Sequence, residues 1–153
     1  MTLKARLKQM ANDLDRAINE QLNLITSFQP DPTEPGQRFG IADWIGSDSD
    51  GDEFSQQETH RFQLWVVASF ETYSACRDGM IDLAVDVRNI IPTLKLGLED
   101  VLMVDYPSTV SVTKRAPIPA PNTQTGHLWV GDIVVPLAVQ MAVFKGVAGG
   151  YLD

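Results

Sequence analysis

Asp48, Asp50 and Asp52 alternate through the stretch Gly46-Ser47-Asp48-Ser49-Asp50-Gly51-Asp52-Glu53, a density of carboxylates that could ligate a hard cation such as calcium. A helix-flanked calcium loop needs oxygen ligands at its first, third, fifth and twelfth positions and a glycine at the sixth. Counted from Asp48, Asp50 and Asp52 fill the third and fifth, but Gly51 falls at the fourth, Glu53 at the sixth and Thr59 at the twelfth. The turn glycine and the bidentate glutamate are both missing. The stretch 46–59 therefore reads as a solvated acidic loop rather than a metal site.

Nucleophilic or zinc chemistry would have to use His60, His127 and Cys76, the only histidines and the only cysteine. Neither histidine has a second imidazole or a thiol at ligand spacing, so no zinc pattern exists. A Cys–His pair could act as nucleophile and base, but Cys76 falls in the first turn of an amphipathic helix and reads as a packed thiol. A lone cysteine forms no internal disulfide, which fits a reducing compartment or a fold that needs no bridge. There is no glycine-rich phosphate loop, no nucleophile elbow and no His-Glu-x-x-His. The expectation is a non-enzymatic chain without metal or cofactor. An enzyme or ligand-binding domain would instead have to gather His60, His127 or Cys76 in one closed polar pocket.

Charge narrows the partners. The formal net charge is −8. Residues 1–27 contribute +1, residues 28–59 contribute −7, and residues 60–153 contribute −2. Such a chain repels nucleic-acid phosphates. No run of about 18 apolar residues suggests a membrane span, and the polar, amphipathic start does not read as a signal peptide.

The elements that must position these side chains follow from hydrophobic period. Leu3, Leu7, Met10, Leu14, Ile18, Leu22 and Ile25 make one stripe of a surface helix over 2–23, with Thr2 as its cap. Pro30, Pro32, Pro35 and Gly36 break the chain. Arg38 to Ile45 can form a strand with Phe39, Ile41 and Asp43 on one face. From Arg61 to Phe70 the alternation is clean: Phe62, Leu64, Val66, Ala68 and Phe70 against Gln63, Trp65, Val67 and Ser69. Ser74 can cap a second helix ending before Pro92, buried through Met80, Leu83, Ala84, Val87, Ile90, Ile91 and Leu94. Val101–Tyr106 and Thr109–Arg115 read as a hairpin about Pro107-Ser108. Pro117, Pro119 and Pro121 make 116–126 an extended arm. His127 to Phe144 reads as a long strand, with a bulge at Gly131 where the apolar parity switches and an unpaired edge at Pro136. The tail around Gly146, Gly149 and Gly150 reads as mobile.

This order predicts one α+β domain over 1–153: an antiparallel-rich sheet of about four to five strands with two long helices packed on one face. Trp65 and Val67 then form an apolar patch that wants cover, and the arm at Pro117, Pro119 and Pro121 could strap a neighbouring subunit.

The helix 2–23, the strand His60–Phe70, the helix Asp78-Gly79-Met80-Ile81-Asp82-Leu83-Ala84-Val85-Asp86-Val87-Arg88 and the closing strand Trp129-Val130-Gly131-Asp132-Ile133-Val134-Val135-Pro136-Leu137-Ala138-Val139 together resemble the tail terminator, or head–tail joining, proteins of tailed bacteriophages. The resemblance is one of order and texture over nearly the whole chain, and other neck and tail-completion proteins share it. It implies a structural virion protein at the tail–neck junction, assembled in the host cytoplasm. Such proteins form a ring, usually a hexamer, that caps the head-proximal end of the tail tube, stops its polymerisation and meets the neck. Acidic residues would face the channel and let DNA pass without specific binding, a role that falls here to Asp48, Asp50, Asp52 and Glu53 or to the wet face of the second helix. The alternatives are another neck, stopper or baseplate component, or the small ligand-binding domain or enzyme above.

Overall fold

The first helix, α1, spans Leu3–Leu22, and Met10, Leu14, Ile18 and Leu22 of the expected stripe are buried. It ends where Asn23 takes a left-handed backbone (φ 53°) and the Leu24 N–H donates to the Asn19 carbonyl at 2.8 Å, a closure common at helix C-termini. The computed structural model describes residues 3–26, 31–51, 55–91, 101–105 and 110–144. The remaining elements are β1 (Ile25–Thr26), β2 (Arg38–Gly51), β3 (Ser55–Phe70), α2 (Tyr73–Ile90), β4 (Val101–Asp105), β5 (Ser111–Lys114), β6 (Ile118–Pro119) and β7 (His127–Phe144).

The strands are ordered β1-β2-β3-β7-β4, with β5 and β6 also on β7. Every described pairing is antiparallel except the two-residue β1–β2 contact. The α+β class is therefore as expected. The core lies between one face of this sheet and the helices: Phe62, Leu64, Val66 and Ala68 of β3 and Ile133, Val135, Leu137 and Val139 of β7 join Met10, Leu14, Ile18, Met80, Leu83 and Val87 in one buried cluster.

Several local expectations change. Residues Gly46–Gly51 are not loop; β2 carries them in register with β3, down to Asp50 opposite Gln57 and Gly51 opposite Gln56. Their polarity hides a strand because the pairing partner, not burial, holds them extended. Thr72, not Ser74, caps α2: its hydroxyl accepts from the Ala75 N–H at 3.1 Å. Val101–Asp105 and Ser111–Lys114 do not pair with each other. They meet successive stretches of β7, at 138–141 and 131–134, and β6 meets 127–128. The three are pieces of one interrupted edge strand, because an 18-residue β7 offers each a ladder. The described pairings on that edge skip Pro136 and its two neighbours. Asp52, Glu53, Pro92, Leu94, Pro107, Ser108 and the tail beyond Phe144 lie outside the described residues.

No bulge marks Gly131. β3 and β7 keep one register from Phe70 opposite Trp129 to Ser55 opposite Phe144. The glycine serves α2 instead: a methyl group at Gly131 would lie within 2.6 Å of Met80 Cγ and Cε. Register shifts fall elsewhere, in β2 between Trp44 and Gly46 and in β4 between Val101 and Met103.

α1 also tends the outer edge of β2. Asp15 Oδ1 accepts from the Ala42 N–H, and Asn19 Nδ2 donates to the Gly40 carbonyl at 3.3 Å. Burial pushes the Asp15 carboxyl above its ordinary pKa, only partly offset by the Ala42 hydrogen bond. A raised carboxyl contributes most at low pH and costs stability once pH rises through its folded value. Asp15→Asn keeps an acceptor and removes that charge, so it is expected to unfold no more easily than wild type at pH 7. Asp15→Ala strands the Ala42 N–H and is expected to cost about 1 kcal/mol in urea denaturation.

Candidate functional site

Face alternation puts Phe39 and Ile41 of β2, Trp65, Val67 and Ser69 of β3, and Val130 and Asp132 of β7 on the side of the sheet away from the helices. One charge stands there. Asp132 is the only Asp, Glu, Lys or Arg between His127 and Phe144, and a carboxylate in so apolar a strand requires partners. Arg115 supplies a two-pronged contact, Nε to Oδ2 at 2.8 Å and Nη2 to Oδ1 at 2.7 Å. Trp65 Nε1 donates to the same Oδ1 at 2.8 Å. Arg115 is itself seated by its N–H on the Val130 carbonyl at 2.9 Å and reaches Asp31 at 3.4 Å. Burial pushes the Asp132 carboxyl up, but the bonds from Arg115 and Trp65 outweigh it, and the group sits below the usual carboxylate range.

Beside this cluster lies a second, smaller core. Val67, Leu128 and Val130 are buried together, with Trp65 and Ala120 packed on them. This explains the parity switch in β7: Leu128 and Val130 point to the face covered by the chain's own 116–126 segment, and residues from Ile133 onward point to the helices. Val67 is thus fully buried within the chain and is not the subunit contact expected of it. Trp65 is half-buried and committed to Asp132.

The proline segment is likewise tied down rather than free. β6 pairs Ile118 with Leu128 and Pro119 with His127. The Ala120 N–H reaches the Gly126 carbonyl at 2.9 Å. Glu71 holds the turn beyond, accepting from the Gln124 N–H at 2.9 Å and from the Thr125 hydroxyl at 2.7 Å. Pro117, Pro119 and Pro121 keep their rings exposed, so the strap closes on its own sheet and leaves those rings as surface. On the other side, Ser69 pins 34–37: its hydroxyl donates to the Glu34 carbonyl at 2.5 Å and accepts from the Gln37 N–H at 3.0 Å. Between Pro32–Pro35 and Ile118–Thr123, floored by Leu128, runs an open groove of about 640 Å³.

The acidic residues sit elsewhere. Asp48 and Asp50 ride the far half of the β2–β3 hairpin, where Asp48 is exposed and paired with Arg61. The hairpin presents them on a paired ladder, away from the Trp65–Asp132–Arg115 cluster.

The residues with catalytic potential do not converge. His60 lies opposite Val139, and His127 begins the same β7 strand. Twelve residues of strand separate the two positions by roughly 40 Å. His60 is buried, with Nε2 2.9 Å from Glu58 Oε2, and its Nδ1 has no hydrogen-bond partner among the described residues. Cys76 is buried on α2, and burial pushes its thiol up, partly offset by Lys114, so it is poorly suited to attack at neutral pH. Among the described residues no three His, Cys, Asp or Glu side chains cluster as a metal site would, and no helix is long and apolar enough to cross a membrane.

Sequence reasoning missed Asp132, Arg115 and Glu58. For Asp132 a signal existed, a single acid within an apolar strand; for Arg115 and Glu58 only tertiary pairing reveals the role. No protein-family model matches this chain, and no curated protein matches it in sequence.

Proposed function

We propose that the chain is a structural protein of a tailed-phage virion, of the tail terminator kind that its order of elements resembles. It acts as a ring, a hexamer in that family, that caps the head-proximal end of the tail tube, halts its growth and joins it to the neck. DNA passes through without specific contacts, and the protein works by surface complementarity rather than by catalysis.

The observation that carries this reading is the acidic hairpin. Gly46–Gly51 pair with Gln56–Arg61, which pair in turn with 138–143 of β7, so a multi-stranded ladder carries the backbone at Asp48 and Asp50 to the far end of the sheet. An acidic stretch carried on a paired strand, with Asp48 exposed beside Arg61, supports a surface that lines a DNA channel without adhesion. The ladder hydrogen bonds give the hairpin the stiffness that a mobile loop would lack.

Electron microscopy of particles assembled without the protein tests the proposal. The expected result is tails of irregular length, or tails and heads that fail to join. Uniform tails of normal length carrying heads would overturn it.

A further inference from the structure

We propose that copies of this chain join edge to edge, the outer edge of β2 on one copy pairing with the β5–β6 edge of the next. The inference rests on the ring reading above and names the surfaces that would build the ring.

Both edges of the sheet are open among the described residues. On one side, β1 pairs only with Phe39 and Gly40, and the side chains of Asp15 and Asn19 serve Ala42 and Gly40. Past Ala42, Asp43, Trp44 and Ile45 are exposed. The Ala42 N–H points outward to Asp15, and residues two apart on a strand point their backbone groups the same way. Trp44 therefore directs its N–H and carbonyl at the same open edge. On the other side, β5 and β6 pair only with β7. Open strand edges are templates for further pairing.

Apart from Ile81 and Val85 on the outer face of α2, the large exposed apolar side chains among the described residues lie at or beside these two edges. Trp44 is 46% exposed and Ile45 53%, both on the β2 edge; Val112 is 44% exposed and Ile118 38%, both on the opposite edge. Tyr73, half exposed, adjoins that second edge, with Lys114 Nζ 5.7 Å from its ring centroid.

Charge and direction select the pairing. Around Trp44, from Ile41 to Ser47, the β2 edge carries Asp43 and no base; from Val110 to Pro119 the other edge carries Lys114 and Arg115 and no acid. Arg115 is held by Asp132, which leaves Lys114 as the cation on offer. Two β2 edges brought together at Trp44 would set Asp43 of one copy near Asp43 of the other, so a symmetric dimer through that edge is disfavoured. The unlike edges attract. β2 and β7 run the same way, each antiparallel to β3, and β5 runs against β7. A β5–β2 junction therefore continues the antiparallel alternation from one copy to the next. Such a head-to-tail contact closes into a ring when its rotation allows.

Two surface variants of the full-length chain test this. Trp44→Lys blocks the β2 edge, and Val112→Lys blocks the β5 edge; both positions are exposed, and thermal unfolding checks that each variant folds. The mass of each is read by light scattering after size exclusion. Wild type is expected to assemble, and each variant alone to run as a monomer. The equimolar mixture is expected to form a 1:1 dimer, twice the 16.9 kDa chain mass, because one competent edge remains on each partner. An assembly that neither substitution disturbs, or two monomeric variants that do not dimerise on mixing, overturns the edge pairing while leaving the ring itself standing. A wild type that stays monomeric at every concentration up to about 1 mM also overturns it, and the particle phenotype then judges the terminator reading separately.

Discussion

Asp132→Ala is expected to cost roughly 2–4 kcal/mol, the largest loss at any polar position. The carboxylate is largely buried, accepts from Arg115 through two nitrogens and from Trp65 through a third. Truncation leaves the half-buried Arg115 guanidinium with only the exposed Asp31, at 3.4 Å, and the indole N–H without its Asp132 acceptor. It also loosens the seat of the 110–119 edge, since Arg115 follows β5 directly. For a chain of this length the fall in Tm is roughly 6–12 °C. Asp132→Asn keeps acceptors for one Arg115 nitrogen and the indole but lacks the charge, and is expected to lose about half as much. The pH dependence has a definite sign. The folded carboxyl titrates below its ordinary value of 3.8, so its contribution is present above that value and disappears as pH falls through the folded one. Acid denaturation of wild type and Asp132→Asn should therefore converge at low pH. Parallel curves down to the lowest pH would show that the pair contributes nothing beyond packing.

Gly131→Val is expected to destabilise by about 2–3 kcal/mol, against what strand preference alone predicts. Valine favours strands over glycine by an amount within a scale of about 1 kcal/mol, so a chain read without its tertiary contacts would gain. Gly131, however, is buried opposite Ala68, and Met80 of α2 fills the space where a side chain would grow. A valine must push Met80 and α2 off the sheet. The test is a double-mutant cycle with Met80→Ala, measured by urea denaturation. Met80→Ala alone opens a cavity and costs about 2–5 kcal/mol; in its background the valine has room, so the double variant should recover at least 1 kcal/mol relative to the sum of the singles. Strict additivity would refute this account of the glycine.

The sequence by itself determined the parts whose burial is periodic. The stripe of α1 was legible because Met10, Leu14, Ile18 and Leu22 recur at helical spacing over 20 residues. The alternation of Phe62, Leu64, Val66 and Ala68 was legible because one face of β3 meets the helices throughout. From these the α+β class and the two helices on one face followed. Tertiary structure decided whatever depended on a partner distant in sequence. The acidic Gly46–Gly51 is strand because Gln56–Arg61 pair with it, and no local period announces a strand held by hydrogen bonds rather than burial. The parity switch at Leu128 and Val130 marks a change of covering layer, set by where 116–126 folds. Val67 and the proline segment read as surface left for a neighbour because neither shows locally that the other end of the same chain covers it. Asp132 stands out as a lone acid, but its role required Arg115, 17 residues earlier, and Trp65, 67 residues earlier. Local period reports which side chains are buried; the fold alone reports what buries them.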